Sequence, residues 1–249
     1  PDMTLVQANS RLTLAGVDPT GTKFSEYYPP HIELIPNFFS AELVRQRFVA
    51  RKAKVVTSFS MFYDLEAPMA FMQQVHDVLA DDGVWVFEQS YMPTMLERNA
   101  YDTVCHEHVE YYALAQIAWM AERAGLALLD VELNDVNGGS FSVTAAKRGT
   151  RRKVAASVGE LLAREVRLGL DTLQPYHAFA ERAGKSREAL LEFLNRAMRK
   201  GESVCGLGAS TKGNVLLQYC GIRPPLLEEI GEVNPEKYGC FTPGTLIPI

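Results

Sequence analysis

Residues 54–88 read KVVTSFSMFYDLEAPMAFMQQVHDVLADDGVWVFE, and the pattern in this stretch decides the fold class. Lys54 to Ser60 is a β-branched strand. Pro68 to Leu79 is an amphipathic helix, with Met69, Phe71, Met72, Val75 and Leu79 recurring at helical spacing. Asp81-Asp82-Gly83 stops the helix, and Gly83 to Phe87 (GVWVF) is a buried strand ending at Glu88. A strand, a helix and a second strand in that order imply a parallel sheet wound with helices.

Upstream, Leu12 to Val17 is a short apolar strand closed by Asp18-Pro19, with Thr20-Gly21-Thr22 as a turn. Ser40 caps a helical stretch marked by Leu43, Val44 and Phe48. Downstream, Leu114 to Ala124 is a helix capped by Gly125. Leu126–Leu133 and Phe141–Ala146 are strands joined by Asn134–Gly139, a hairpin signal that gives the sheet an antiparallel edge. Val154 to Lys200 is Leu- and Ala-rich and helical, broken near Pro175 or Gly184; its charged face (Glu160, Arg164, Glu165, Arg167) reads as solvated. A second unit follows: the strand Ser203–Gly206, a glycine loop over Leu207–Gly213, and a helix through Tyr219 ended by Gly221. The expected domains are therefore 1–148, an α/β sheet domain; 149–200, a helical linker; and 201–249, a small second lobe.

Composition narrows the function. The 249 residues are 47% hydrophobic and 22% charged, an ordinary globular balance. Twenty-five Lys and Arg against 30 Asp and Glu give a net charge of −5, which argues against a nucleic-acid binder. Arg151-Arg152-Lys153 reads as a solvated linker. No apolar stretch approaches the roughly 20 residues needed to span a bilayer, and Pro1-Asp2-Met3-Thr4 carries no secretory pattern. Cys105, Cys205, Cys220 and Cys240 form no C-x-x-C pair; they fit buried or partly buried thiols in a reducing cytoplasm, without a zinc site. Pro1 and the closing segment Gly244–Ile249 read as cuts in a longer protein.

The densest polar cluster runs from Tyr101 to Tyr112 (YDTVCHEHVEYY), beyond the carboxyl edge of the sheet, where open α/β folds bind ligands. Two histidines around a glutamate, flanked by tyrosines, supply proton donors and acceptors near neutral pH. The bland alternative is a loop whose histidines cap helices or fill an interface. Metal ligation by His106 and His108 is disfavoured, because H-E-H lacks the i, i+4 pairing of H-E-x-x-H. The loop Gly206-Leu-Gly-Ala-Ser-Thr-Lys-Gly-Asn214 favours anions through backbone N–H groups, a helix N-terminus, the hydroxyls of Ser210 and Thr211, and Lys212. It satisfies neither G-x-x-x-x-G-K-[ST] nor a full G-x-G-x-x-G, and its bland alternative is a tight turn with an exposed lysine. His31, His76 and His177 have no partner arrangement, and Trp85 and Trp119 stand at core spacing.

Three groups of residues together resemble the sugar C-methyltransferases, which methylate a carbon of a keto-deoxysugar carried on a nucleoside diphosphate. They are Glu88–Asn99 with Tyr101–His108; Asn137-Gly-Gly-Ser140; and Gly206–Asn214 with Tyr219-Cys-Gly221 and Pro243–Pro248. The resemblance runs from about Gly16 to Ile249. It implies an incomplete class I methyltransferase sheet of Rossmann-like type with an antiparallel final strand pair and a second Rossmann-like lobe. It also implies S-adenosylmethionine as cofactor, contacted by Asp18, Ser58 and Glu88, and a nucleotide-linked sugar as the partner molecule. The family's N-terminal zinc module and first glycine-rich strand have no counterpart here, so zinc belongs only to that module and the chain alone is expected to be inactive in methyl transfer. His108 is the implied base, with Glu107 in substrate contact or orientation and His106, Tyr63 and Cys105 as further catalytic candidates. An imidazole, with a reference pKa of about 6.5, suits removal of a proton beside a ketone. Gly208, Ser210, Thr211, Lys212 and Asn214 are the implied substrate contacts, with Lys237 along the same edge. The chain departs from the family at Cys105, where several members carry Tyr, and at Ser58–Phe62, where members carry Asn and His; Tyr63 can compensate.

Two other classes fit parts of the chain. A dinucleotide-dependent oxidoreductase would use the loop at Gly206–Gly213, but it needs a full glycine fingerprint and an acidic residue at the end of the next strand, which Glu232 does not establish. A non-catalytic nucleotide-sugar-binding fragment would keep the second lobe alone.

Overall fold

The computed structural model describes residues 12–49 and 51–249. β1 (Leu14–Val17) and β2 (Ile32–Ile35) form a parallel pair. Helix α1 (Ala41–Arg47) starts at Ser40, whose hydroxyl accepts from the Leu43 N–H at 3.1 Å. β3 (Ala53–Phe59), β4 (Leu79–Ser90), β5 (Leu126–Asn134) and β6 (Ser140–Lys147) make a four-stranded sheet in the order β3-β4-β6-β5. β3 runs parallel to β4, while β6 is antiparallel to both of its neighbours. This is the Rossmann-like sheet with an antiparallel final pair that the sequence implied. Asp81-Asp82-Gly83 does not separate helix from strand as expected. Pairing jumps from Ala53–Leu79 to Val55–Val84, so the turn residues form an irregularity inside β4.

Alternation along β4 sends Trp85, Phe87 and Gln89 into one covered face. There Trp85 and Phe87 meet Phe71, Met72 and Val75 of α2 (Pro68–Val78) and Leu114 and Ile117 of α4 (Leu114–Arg123) in one core. Phe62 lies between Trp85, Phe87 and Tyr112, with ring centroids 5.5–5.9 Å apart. The Trp85 indole N–H, which would be costly unpaired, donates to the Ser58 hydroxyl at 3.0 Å. On the opposite face Val55, Thr57 and Phe59 of β3 are exposed.

The expected linker is two helices, α5 (Ala156–Leu168) and α6 (Gln174–Arg199), separated by Gly169 in a left-handed conformation. Pro175 lies in the first turn of α6 and Gly184 inside it without a break. α5 belongs to the first core through Val158 and Leu161. Glu165, expected on a solvated face, is 3% exposed. Its carboxylate accepts from the Tyr91 hydroxyl at 2.8 Å and from the N–H groups of Leu114 and Ala115 at 2.6 and 2.9 Å. It therefore caps α4, whose own Ala113 offers no side-chain acceptor. Trp119, expected in the core, is 53% exposed and lies under the Arg123 guanidinium at 3.7 Å. Cys205 and Cys240 are exposed, against the expectation of buried thiols, whereas Cys220 is buried.

α6 spans 26 residues, about 39 Å at 1.5 Å per residue, and carries the chain to the second lobe. There β7 (Cys205–Leu207), α7 (Thr211–Cys220) and β8 (Glu229–Gly231) form a parallel β-α-β unit. Its core gathers Leu194 of α6 with Leu217, Cys220, Leu227, Ile230 and Ile247. Among the described residues, no helix is long and apolar enough to cross a membrane, and no group of three or more His, Cys, Asp or Glu side chains could hold a metal ion.

Candidate active site

The short strand β3 ends at Ser60, a non-glycine residue at φ 51°, and the chain turns there into Phe62-Tyr63-Asp64. The backbone oxygen of Tyr63 accepts from the N–H groups of Val109 and Glu110 at 3.0 and 3.1 Å. That double contact pins the H-E-H loop onto the end of the sheet. As a result the Tyr63 and His108 rings lie 4.4 Å apart, and the Tyr111 ring stands 6.2 Å from His108. Burial raises the Tyr63 phenol above its ordinary pKa, offset in part by the neighbouring Ser60 side chain and reinforced by Asp64, Cys105 and Glu107. It is therefore a protonated hydrogen-bond donor at neutral pH. Asp64 is raised by desolvation, opposed by the nearby His108 and reinforced by Glu107.

The structure thus brings Tyr63, Cys105, Glu107 and His108 together with Tyr111 of the same cluster, and adds Asp64, which the sequence reading missed. The only signal for Asp64 was a carboxylate next to Tyr63 at a strand end. His106 turns elsewhere. With Tyr101 and Cys105 it lines a cleft of about 720 Å³ closed by α6 and by Thr211, Asn214 and Tyr219 of α7. The Asn214 Oδ1 is buried without a partner, an acceptor left for a ligand donor.

The second glycine loop is less open than its sequence suggests. The Gly208 N–H donates to Gly231 O at 2.8 Å, and the Ala209 N–H to the Glu232 carboxylate at 2.9 Å. Ser210 caps α7 by accepting from the Gly213 N–H at 3.0 Å. The row of successive N–H groups expected for an anion is thus partly consumed within the protein. Lys237, expected against substrate, donates to Ala209 O at 2.8 Å and stands 3.4 Å from Glu232, so it braces the loop. Glu232 is held down to about 2 by N–H groups of Ala209, Asn234 and Val233. Its carboxylate is occupied, which removes the free acid that the dinucleotide reading requires. Lys212 reaches the other lobe and donates to Asn137 O at 2.9 Å.

The cofactor candidates stand at carboxyl ends of strands. Phe59 pairs with Glu88 across β3 and β4 on the face opposite the core, and the Glu88 carboxylate accepts from the Asn134 side chain at 2.7 Å. Ser58 pairs with Phe87 on the covered face, where its hydroxyl accepts from Trp85, so the ladder does not bring Ser58 to Glu88 as expected. Asp18 closes β1 in the separate two-stranded sheet, away from Ser58 and Glu88 in the ladder. Its Oδ1 accepts from the Thr20 N–H at 2.8 Å and the Thr20 hydroxyl at 2.7 Å, which lowers its pKa. The Asp18 and Glu88 carboxylates are acceptors that suit the hydroxyls and ammonium of S-adenosylmethionine. Among the described residues, the glycine-rich strand-to-helix loop lies in the second lobe, not beside them.

Residues 5–131 match the family model described as a methyltransferase domain. The chain belongs to the methyltransferase-domain family. Beyond that domain, residues 135–249 match the model of a C-methyltransferase C-terminal domain. C-methyltransferase NovU of Streptomyces niveus is 32% identical over 245 residues, which cover 98% of this chain and 58% of that protein. The chain thus spans little more than half the length of that relative. Among solved structures, LepI in complex with SAM aligns at 13% identity with a TM-score of 0.48, over 59% of this chain and 39% of that one. The Haloferax volcanii complex of the Trm112 activator with a putative methyltransferase aligns at 10% identity and 0.45, over 58% and 76%. At such scores neither carries an argument, and the methyltransferase domain is recognised by its family model and its sheet.

Proposed function

We propose that the chain is part of an S-adenosylmethionine-dependent C-methyltransferase that acts on a keto-deoxysugar linked to a nucleoside diphosphate in the cytoplasm. The observation that carries this reading is the Tyr63–His108 pair, 4.4 Å apart at the end of the methyltransferase sheet. When bound, the cofactor supplies an electrophilic methyl group, and Asp18 and Glu88 are the residues suited to hold it. His108 removes the proton beside the ketone, and the C–H electron pair passes into an enolate. The protonated Tyr63 phenol donates to the developing enolate oxygen, in a partly buried setting that strengthens the contact. Glu107 and Asp64 stabilise the imidazolium that results. The cleft between the H-E-H loop, α6 and α7 holds the nucleotide-linked part, with Thr211, Asn214 and the start of α7 as contacts.

The test, made in the longer enzyme of which this chain is proposed to be a part, is methyl transfer from ¹³C-methyl-labelled S-adenosylmethionine to a nucleoside-diphosphate keto-deoxysugar, read by NMR. A new carbon–carbon bond is expected. His108→Asn should reduce kcat by roughly 10²- to 10⁴-fold, the usual worth of a general base, with KM little changed. His106→Asn should be milder. Methylation on oxygen or nitrogen, or a reversal of the two histidine effects, would contradict the assignment.

A further inference from the structure

The motif Asn137-Gly-Gly-Ser140 lies at the tip of the β5–β6 hairpin, outside both the Tyr63–His108 pair and the cleft wall. Asn137 stands at φ 54°, ψ 23°, a left-handed conformation that asparagine tolerates better than most residues. The hairpin is held from the first lobe. Arg98 donates to Gly138 O at 3.0 Å and to the Asp135 carboxylate at 2.6 Å. Gly139, at φ 132°, packs so close to Thr94 that a Cβ would fall 2.2 Å from its Cγ2.

So fixed, Asn137 makes two contacts in different directions. Its backbone oxygen accepts from Lys212 Nζ at 2.9 Å, and its side-chain amide donates to the Ser60 hydroxyl at 3.3 Å. Ser60 opens the turn that carries Tyr63, its side chain offsets part of the rise in the Tyr63 phenol's pKa, and the Tyr63 ring lies against His108. A continuous line of contacts therefore runs from the glycine loop of the second lobe to the acid–base pair of the first. We propose that Asn137 is a positioning residue that couples occupancy of the Lys212 loop to the placement of Tyr63 and His108. The inference rests on the functional reading above. Lys212 has three donors and meets one neutral carbonyl. An anion arriving at the start of α7 competes for that ammonium and alters the pull on Asn137, and the Asn137 amide passes the change to Ser60.

The test uses the full chain, labelled with ¹⁵N and with ¹³C in histidine, and inorganic pyrophosphate as the probe, the anionic part common to nucleoside diphosphates. In the wild-type chain, pyrophosphate should shift the amides of the 206–214 loop and the His108 ring signals together. Asn137→Gly keeps the left-handed backbone and the carbonyl for Lys212 but deletes the amide. It should bind pyrophosphate equally well while the His108 signals stay still. Ser60→Ala should behave likewise, and in the longer enzyme both should lower kcat for methyl transfer several-fold with KM for the nucleotide sugar unchanged. Loop amides that shift while His108 stays still in the wild type, or an undiminished His108 response in Asn137→Gly, would overturn the coupling alone. Loop amides that never respond would overturn both the coupling and the anion reading of the loop.

Discussion

Each lobe is held by one carboxylate that gathers backbone N–H groups, and the two work in different surroundings. Glu165 is sealed in the first core, where it joins α5 to the start of α4 and to Tyr91. Glu232 sits at the rim of the second lobe, where it ties the glycine loop to the turn after β8. The first carboxylate connects elements 50 or more positions apart and the second a loop 23 positions away. The first lobe thus depends on long-range burial, and the second keeps its loop in shape through local hydrogen bonds.

Removing Glu165 should have the largest effect. Glu165→Ala leaves two N–H groups and a phenol unpaired in the core, a cost of about 3 kcal/mol. At roughly 2–4 °C per kcal/mol for a chain of this size, Tm should fall by about 10 °C in calorimetry. A change below 2 °C would erase the contrast between the lobes. Glu232→Gln should be milder and local. The folded carboxyl is depressed to about 2, so its contribution is present above the ordinary carboxylate range near 4.3 and is lost as pH falls toward 2. In the wild type the Ala209 amide signal should therefore hold still through the ordinary carboxylate range and move only as pH approaches about 2, and in Glu232→Gln it should be flat throughout.

The same contrast explains what could be read from the sequence. β3 through β6 were legible because β-branched and apolar runs such as Lys54–Ser60 and Gly83–Phe87, bounded by turn residues, are a local property. Glu165 and Trp119 were misread because helical spacing names a face but not what packs on it. α5 docks its acidic position on the α4 N-terminus, and Trp119 points outward under Arg123. The short elements β2 and α3 (Met92–Glu97) were passed over, since neither is long enough to show a period. At the site, the H-E-H loop was found by its composition. Its partner Tyr63 was reached only through resemblance, and Asp64 not at all, because their meeting depends on two N–H groups bonded to a carbonyl 46 and 47 positions earlier in the chain.

The account turns on His108 as the base, and proton exchange at the sugar carbon tests it most directly because no methyl transfer is needed. A nucleoside-diphosphate keto-deoxysugar is incubated with the chain in D₂O, without S-adenosylmethionine, and the proton beside the ketone is followed by NMR. The wild-type chain should wash that proton out, and His108→Asn should slow the exchange by roughly 10²- to 10⁴-fold while the sugar nucleotide still binds. Exchange that proceeds unchanged in His108→Asn, or that never occurs in the wild type with the sugar nucleotide bound, would contradict it.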